Sequence, residues 1–390
     1  MLGRPTGRGS QVSARDVGRR FPTGLPVVLM RGGTSKGVFV HARDLPAEPG
    51  PALDDLLLRL MGSPDPVQID GLGGARSSTS KVIVVAPSAE PGVDVDYWFA
   101  QVSVDSPAVS WSGNCGNLTT AVGPFALDEG LAKAVGPTVT VRMRNRNTGV
   151  VVDSTFGVRA GRAETAGDCV VAGVPGSGAP VTTRYLDPVG GTLGSMFPTG
   201  STREPVGDGA GAVEVSLLDV THPYAFVRAA DVGVDMATPV AELDGDTHLR
   251  DRLERIRGAS AVALGLVADP TDAAARVPAL PRLILVGPDD GRGGATGIRT
   301  VAVSMGRIHH ALPMTGALCL GAAVACGAET LPSEFASCPD GMLDIRHPKG
   351  TTTVTVRTSG TPPHIAIESV GVVRTARRLL TGTAHLPRTD

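Results

Sequence analysis

The five cysteines, Cys115, Cys169, Cys319, Cys326 and Cys338, form no C-x-x-C pair, and no Cys/His cluster stands at zinc-ligand spacing. An odd, scattered set argues against a disulfide framework and a structural zinc site. His309 and His310 are adjacent, which turns their side chains apart on a strand or helix, so no metal site is expected. An excess of one charge is missing too, since 36 Lys and Arg stand against 38 Asp and Glu, for a net charge of −2. That removes any global electrostatic argument for a nucleic-acid partner, and anion recognition has to be local. The first twenty residues hold five arginines and no apolar core, unlike a signal peptide or a membrane span. We read residues 1–20 as a disordered, mildly basic tail on a cytoplasmic protein with no membrane partner.

What is present is length and turn-forming residues. A chain of 390 residues is long enough for two domains with sizeable cores. Its 51 glycines and 31 prolines, about a fifth of the chain, imply many tight turns in a globular protein.

The chemistry centres on Val109 to Val122, where Cys115 sits between glycines and asparagines just before an apolar run. If that run is a helix, unpaired N–H groups and the macrodipole at its start favour a thiolate and an anion beside it. The ordinary alternative is an inert buried cysteine. Upstream, Leu25 to Met30 and Val38 to Val40 flank a glycine-rich segment with Thr34 and Ser35. This reads as strand, loop, strand, the loop offering N–H groups and hydroxyls to an anion; the Walker spacing is absent. Leu53, Leu56, Leu57, Leu60 and Met61 fall on one helical stripe that ends before Ser63-Pro64. The segment Gln68 to Lys81, rich in glycine and hydroxyls, cannot form a core and must face solvent or a ligand. Lys81, where it meets the β-branched run Val82 to Val85, reads by itself as a solvated edge charge.

Strands follow at Asp94 to Val104, Thr138 to Met143 and Gly149 to Thr155; the Gly/Pro-rich stretch Gly176 to Gly209 holds a domain junction near Pro188. In the second half, strands are expected at Val213 to Leu218, Ala225 to Arg228, Leu283 to Val286 and Thr300 to Ser304. A helix is expected over Thr247 to Leu266. The small-residue run Ala317 to Ala325 reads as a helix buried on all sides. Its start, at Met314 to Gly316, resembles the Cys115 segment, which suggests an internal duplication with a cleft between two helix N-termini.

At these residues the chain resembles the PrpF family, the methylaconitate and methylitaconate isomerases, within the diaminopimelate epimerase-like fold. The likeness is carried by Met30-Arg31-Gly32-Gly33-Thr34-Ser35-Lys36-Gly37, Gly62-Ser63-Pro64-Asp65, Ser77-Ser78-Thr79-Ser80-Lys81, Gly113-Asn114-Cys115-Gly116-Asn117 and Arg374-Thr375-Ala376-Arg377-Arg378-Leu379. The resemblance implies an α+β fold of two pseudo-symmetric domains, each a β-structure wrapped around a central helix, with the active site between them and no cofactor. The expected boundaries are 21–187, carrying Lys81 and Cys115, and 188–370, with 371–390 returning to the first domain. Carried over, the family's catalytic lysine and cysteine fall on Lys81 and Cys115. Its substrate-binding positions fall on Ser35, on Gly74, Ala75, Arg76, Ser77 and Ser78, on Asn114, Gly116 and Asn117, and on Met314, Thr315 and Gly316. Arg282 is read as a carboxylate contact, with a surface charge opening a strand as the alternative.

One departure informs the mechanism. Epimerases of this fold use two facing cysteines; the second position aligns with Pro313, and Cys319 lies deeper, where packing is expected. One lysine and one cysteine fit allylic proton transfer on a small unsaturated di- or tricarboxylate better than two-thiol racemisation. A homo-oligomer is compatible with this reading. The rivals are an oxalomesaconate-type tautomerase, a non-catalytic carboxylate-binding accessory protein and an amino-acid racemase; Ser77-Ser78 and Gly113 look more like the methylaconitate branch.

Overall fold

The computed structural model describes residues 24–111, 114–278, 280–289, 297–304, 306–309, 311–328, 331, 341–360 and 365–387. The tail 1–20, Gly113, His310 and Cys338 lie outside the described residues.

Alternating β-branched and aromatic residues build the first half. Strands β1 (Leu25–Gly32) and β2 (Ser35–His41) form an antiparallel hairpin. Strand β2 runs parallel to β3 (Lys81–Pro87), β3 pairs antiparallel with β4 (Val95–Val102), and β4 runs parallel to β5 (Thr138–Asn145). Antiparallel pairs then join β5 to β6 (Val151–Arg159) and β6 to β7 (Pro180–Leu186). Parallel neighbours need a crossover. Helix α1 (Asp54–Met61) fills the one from β2 to β3, and the short helices α2 (Gly116–Thr119) and α3 (Val122–Asp128) fill the one from β4 to β5.

The second half repeats that order of pairings. Strands β8 (Ala212–Val220) and β9 (His222–Arg228) are antiparallel, and β9 runs parallel to β10 (Arg282–Pro288) across helix α4 (Thr247–Ala263). Strand β10 is antiparallel to β11 (Ile298–Ser304), which runs parallel to β12 (Met342–His347) across helix α5 (Met314–Cys326). Strand β12 pairs antiparallel with β13 (Gly350–Ser359). The long strand β14 (Ala366–Ala384) joins the halves, pairing with β13 and β7 through its first part and with β1 from Ala376 onward. The first ring of strands is thereby closed, and a bridge between Val189 and Val220 brings the chain after β7 onto β8.

The helices inside are small-residue or apolar because the strands crowd them. Helix α5 packs on β8, β9, β12, β13 and β14, and a Cβ on its Gly321 would lie 2.8 Å from Val354. One continuous core joins Leu118, Val122 and Phe125 of the first half to Met314, Leu318 and Cys319 of the second. The outer faces are covered by α1 in the first half and α4 in the second, each over its own apolar cluster. Helix α1 ends on Gly62 in the left-handed conformation; α4 is capped by the Asp246 carboxylate, which accepts from the Leu249 N–H.

Two readings of the sequence need correction. The glycine-rich segment after Met30 is no open loop: Gly33 and Thr34 alone form the turn, and Arg31, Gly32, Ser35, Lys36 and Gly37 are paired in the hairpin. The apolar run after Cys115 is broken between α2 and α3, where Pro124 has no N–H to offer the Thr120 carbonyl. Beyond these, the stretch Gly176 to Gly209 contains β7, flanked by partners distant in sequence.

Candidate active site

Ser35, Lys81 and Cys115 converge from three elements. Ser35 opens β2 and is 6% exposed; Lys81 opens β3 and is 8% exposed, not the solvated edge charge its position suggests. Cys115 is half-buried at the residue before α2, its Sγ 3.7 Å from Ser35 Oγ. Burial places these side chains on the helix-facing side of the sheet: Ile83 and Val85, two and four residues beyond Lys81, belong to the core around α2 and α3.

Desolvation pushes the Lys81 ammonium below its ordinary value, the Arg282 cation pushes the same way, and the neighbouring Cys115 side chain opposes both. Lys81 Nζ donates to Gln101 Oε1 and lies 5.0 Å from the centre of the Phe99 ring. Beneath the site, Tyr97 shares a hydrogen bond with Thr119 Oγ1, and burial raises its phenol to about 12. Burial raises Tyr185 in the same direction. Both phenols therefore stay protonated near neutrality.

The second half reaches the same place. Gly116 abuts Met314: a Cβ there would lie 2.4 Å from Met314 Cε. Thr315 Oγ1 is 2.8 Å from the Tyr224 hydroxyl, which accepts from Arg282 at 3.4 Å. Gly316 lets Ile284 and Tyr224 approach, since a Cβ would meet them at 2.7 and 3.1 Å. Arg282 is half-buried, and its Nε is enclosed without a hydrogen-bond partner.

The remaining expected positions are less uniform. Asn114 accepts from Thr119 Oγ1 at 3.2 Å. The Asn117 side chain turns to the hairpin and donates to Thr34 Oγ1 at 3.1 Å. The Gly74 to Ser78 loop is held by Gln68, whose Oε1 accepts from the Ala75 N–H and from Ser80 Oγ. Ser80 is thus fully buried, against the expectation that every hydroxyl here faces solvent or a ligand. Arg76 and Ser77 are exposed, and Ala75 adopts a positive φ of 58°.

Sequence reading missed Gln101, Phe99 and Tyr224. Nothing local marks them; the signal lies in strand register, since Gln101 stands opposite Lys81 and Tyr224 beside Arg282. At the start of α5, Pro313 occupies the cap position, and Cys319 is fully buried in the helix body with its thiol pushed up by desolvation.

Among the described residues, no three His, Cys, Asp or Glu side chains are grouped to hold a metal ion, and no helix is long and apolar enough to cross a membrane. In overall architecture the chain resembles a probable proline racemase from Agrobacterium radiobacter K84, with a TM-score of 0.55 and 14% identity over 93% of each chain. This is the diaminopimelate epimerase-like fold. The chain belongs to the PrpF family, whose profile, described as PrpF protein, matches residues 23–387. Its structure is similar to that of a methylitaconate-delta-isomerase, at a TM-score of 0.78 and 35% identity over 93% of this chain and 95% of the other. Among characterised sequences it is 35% identical to 3-methylitaconate isomerase of Eubacterium barkeri, covering 93% of this chain and 97% of the relative. It is 39% identical to 4-oxalomesaconate tautomerase of Pseudomonas putida, over 94% and 97%. It is 35% identical to 2-methyl-aconitate isomerase of Shewanella oneidensis, over 94% and 98%.

Proposed function

We propose that this chain is an isomerase that moves a proton within a small unsaturated di- or tricarboxylate, such as 2-methylaconitate or 3-methylitaconate, with Lys81 as principal acid/base and Cys115 as its partner. We read the repeated strand order as two pseudo-symmetric domains, 21–187 and 188–370, with 371–390 returning to the first. The reading rests chiefly on one observation: a desolvated lysine with a depressed pKa stands beside a half-buried cysteine and a buried serine.

A proton beside a C=C bond and a carboxylate leaves only if the developing charge is stabilised. The N–H groups just after Cys115 and Pro313 precede the first intrahelical bonds, Thr119 N–H to Cys115 O and Ala317 N–H to Pro313 O, so they remain free to face an oxyanion. Arg282, with its enclosed, unpartnered Nε, supplies a full positive charge for a carboxylate. Ser35, the Gly74 to Ser78 loop, Asn114, Gly116, Met314, Thr315 and Gly316 shape the remaining cradle; Asn117 acts by holding the hairpin. In the reaction Lys81 or Cys115 takes the allylic proton, the electron pair delocalises toward the carboxylate, and a proton returns at the same carbon after rotation or at the other end of the allyl system. No redox equivalent is consumed.

The same transfer on an oxo-tricarboxylate is the second reading, favoured by the 39% identity to the tautomerase. Both are tested in deuterated water with 3-methylitaconate, 2-methylaconitate and 4-oxalomesaconate, followed by NMR. We expect wild type to place deuterium into at least one acid and Lys81→Ala to do so about a hundredfold more slowly. Tight binding of an acid without exchange above the enzyme-free background would favour an accessory protein. Equal exchange by the two proteins would remove Lys81 from its role.

A further inference from the structure

We propose that Gln101 is the positioning residue of the site: its side-chain amide fixes the Lys81 ammonium and ties it mechanically to the Ser77–Ser80 turn. The inference rests on the reading of Lys81 as the acid/base.

The register of β3 and β4 puts Gln101 directly opposite Lys81, and directly opposed residues project from the same face of a sheet. There Gln101 Oε1 accepts from Lys81 Nζ. Its Nε2, with two hydrogens to give, lies within hydrogen-bond distance of three carbonyls, those of Ser77 at 3.1 Å, Ser80 at 3.0 Å and Val102 at 3.3 Å. This pattern allows one orientation. A flipped amide would set its oxygen against three acceptors and its N–H groups against an ammonium, so the oxygen has to face Lys81. Phe99, two residues earlier on β4, sets its ring 5.0 Å from the same nitrogen. With the amide and the ring on those sides, the Lys81 nitrogen is left to approach Cys115.

Glutamine suits this task better than glutamate. A carboxylate would hold the proton on Lys81 and oppose the desolvation that loosens it; a neutral amide orients the amine and lets the proton go. The same amide carries the turn Ser77–Thr79 through the Ser77 and Ser80 carbonyls, so displacement of the turn by a bound carboxylate is transmitted to Lys81.

The chain has four lysines, Lys36, Lys81, Lys133 and Lys349, so a ¹³Cε-lysine NMR titration of the ligand-free protein resolves Lys81, assigned by its loss in Lys81→Arg. We expect Gln101→Glu to raise the Lys81 midpoint by about one unit or more and Gln101→Met to lower it. In proton exchange with the acid that wild type turns over, Gln101→Met should reduce kcat about tenfold or more with KM changed less, and Gln101→Glu should move the acid limb of the pH profile upward. A Lys81 midpoint unmoved in either variant with wild-type circular dichroism overturns the proposal. If wild type exchanges none of the three acids, the isomerase reading fails, while the titration still decides whether Gln101 governs Lys81.

Discussion

The two helices that start at the centre of the molecule stand at matching places in the repeated strand order but present different chemistry. The first starts after Cys115, half-buried and 3.7 Å from a serine hydroxyl. The second starts after Pro313, and Cys319 lies about one and a half turns farther on, fully enclosed, with its thiol raised and its sulfur 4.0 Å from the Leu218 carbonyl. One residue type therefore has two fates, set by position along the helix. At the start, the thiol meets a serine hydroxyl and backbone N–H groups not yet used by the helix; in the body, desolvation dominates and raises the Cys319 thiol. The lesson extends to charge, since the first half contributes a lysine and the second an arginine to the same gap.

The sharpest break of this comparison is Cys115→Ser against Cys319→Ser. The first should lower turnover by about a hundredfold or more with the fold intact. The second should leave turnover within about threefold and cost roughly 1 kcal/mol in urea unfolding, from a polar hydroxyl in an apolar helix face. Equal losses of activity would erase the distinction between the two thiols.

A pH series separates the halves next. In β12 of the second half, His347 is buried against Thr352, and desolvation, then the Arg374 cation, lowers its pKa to about 4 from an ordinary 6.5. A depressed folded value contributes stability that is present above 6.5 and lost as pH falls through 4. Between pH 7 and 5 this amounts to about 2 kcal/mol, which His347→Gln should remove from the urea midpoint. Lys81 is depressed too, so stability gains with rising pH between its folded value and the ordinary 10.5. The acid limb of activity follows Lys81, and His347→Gln should not move it; a common shift of both profiles would show that the halves do not titrate separately.

The smallest expected effect tests the contact between the helix starts. Gly116→Ala would bring a Cβ to 2.4 Å from Met314 Cε and 3.2 Å from Met314 Cβ, at a cost of about 1 kcal/mol or somewhat more. Adding Met314→Ala should recover part of that loss, since the two residues touch and their effects are coupled. Simple additivity in a double-mutant cycle would mean that the helix starts do not bear on one another.

Much of this was legible where the signal is local. The stripe Leu53 to Met61 gave α1, and the uniformly small run after Thr315 gave α5, because periodicity reports what a helix must bury. The hairpin turn was harder, since glycines at a tight turn look the same in sequence as glycines in an open loop. Strand β7 was hidden by its Gly/Pro surroundings; Val181, Thr183 and Tyr185 do alternate inward, but their partners lie in β6 and β14, the latter about 190 residues away. Gln101 could not be singled out at all, because its meaning comes from standing opposite Lys81.

The sequence by itself determined the family, through several ordered motifs, and with it which lysine and cysteine to examine, since motif order survives without knowledge of contacts. It also determined that the small-residue helix α5 needed enclosing, because apolar patterning follows from the residues alone. Only the tertiary structure decided that Lys81 is desolvated, that Gln101 accepts a hydrogen bond from it, that Asn117 donates to Thr34 of the hairpin and that Gly116 rests on Met314. The physical reason is that burial, register and close approach belong to pairs of segments far apart in the chain, and a pKa or a contact exists only once those segments have met.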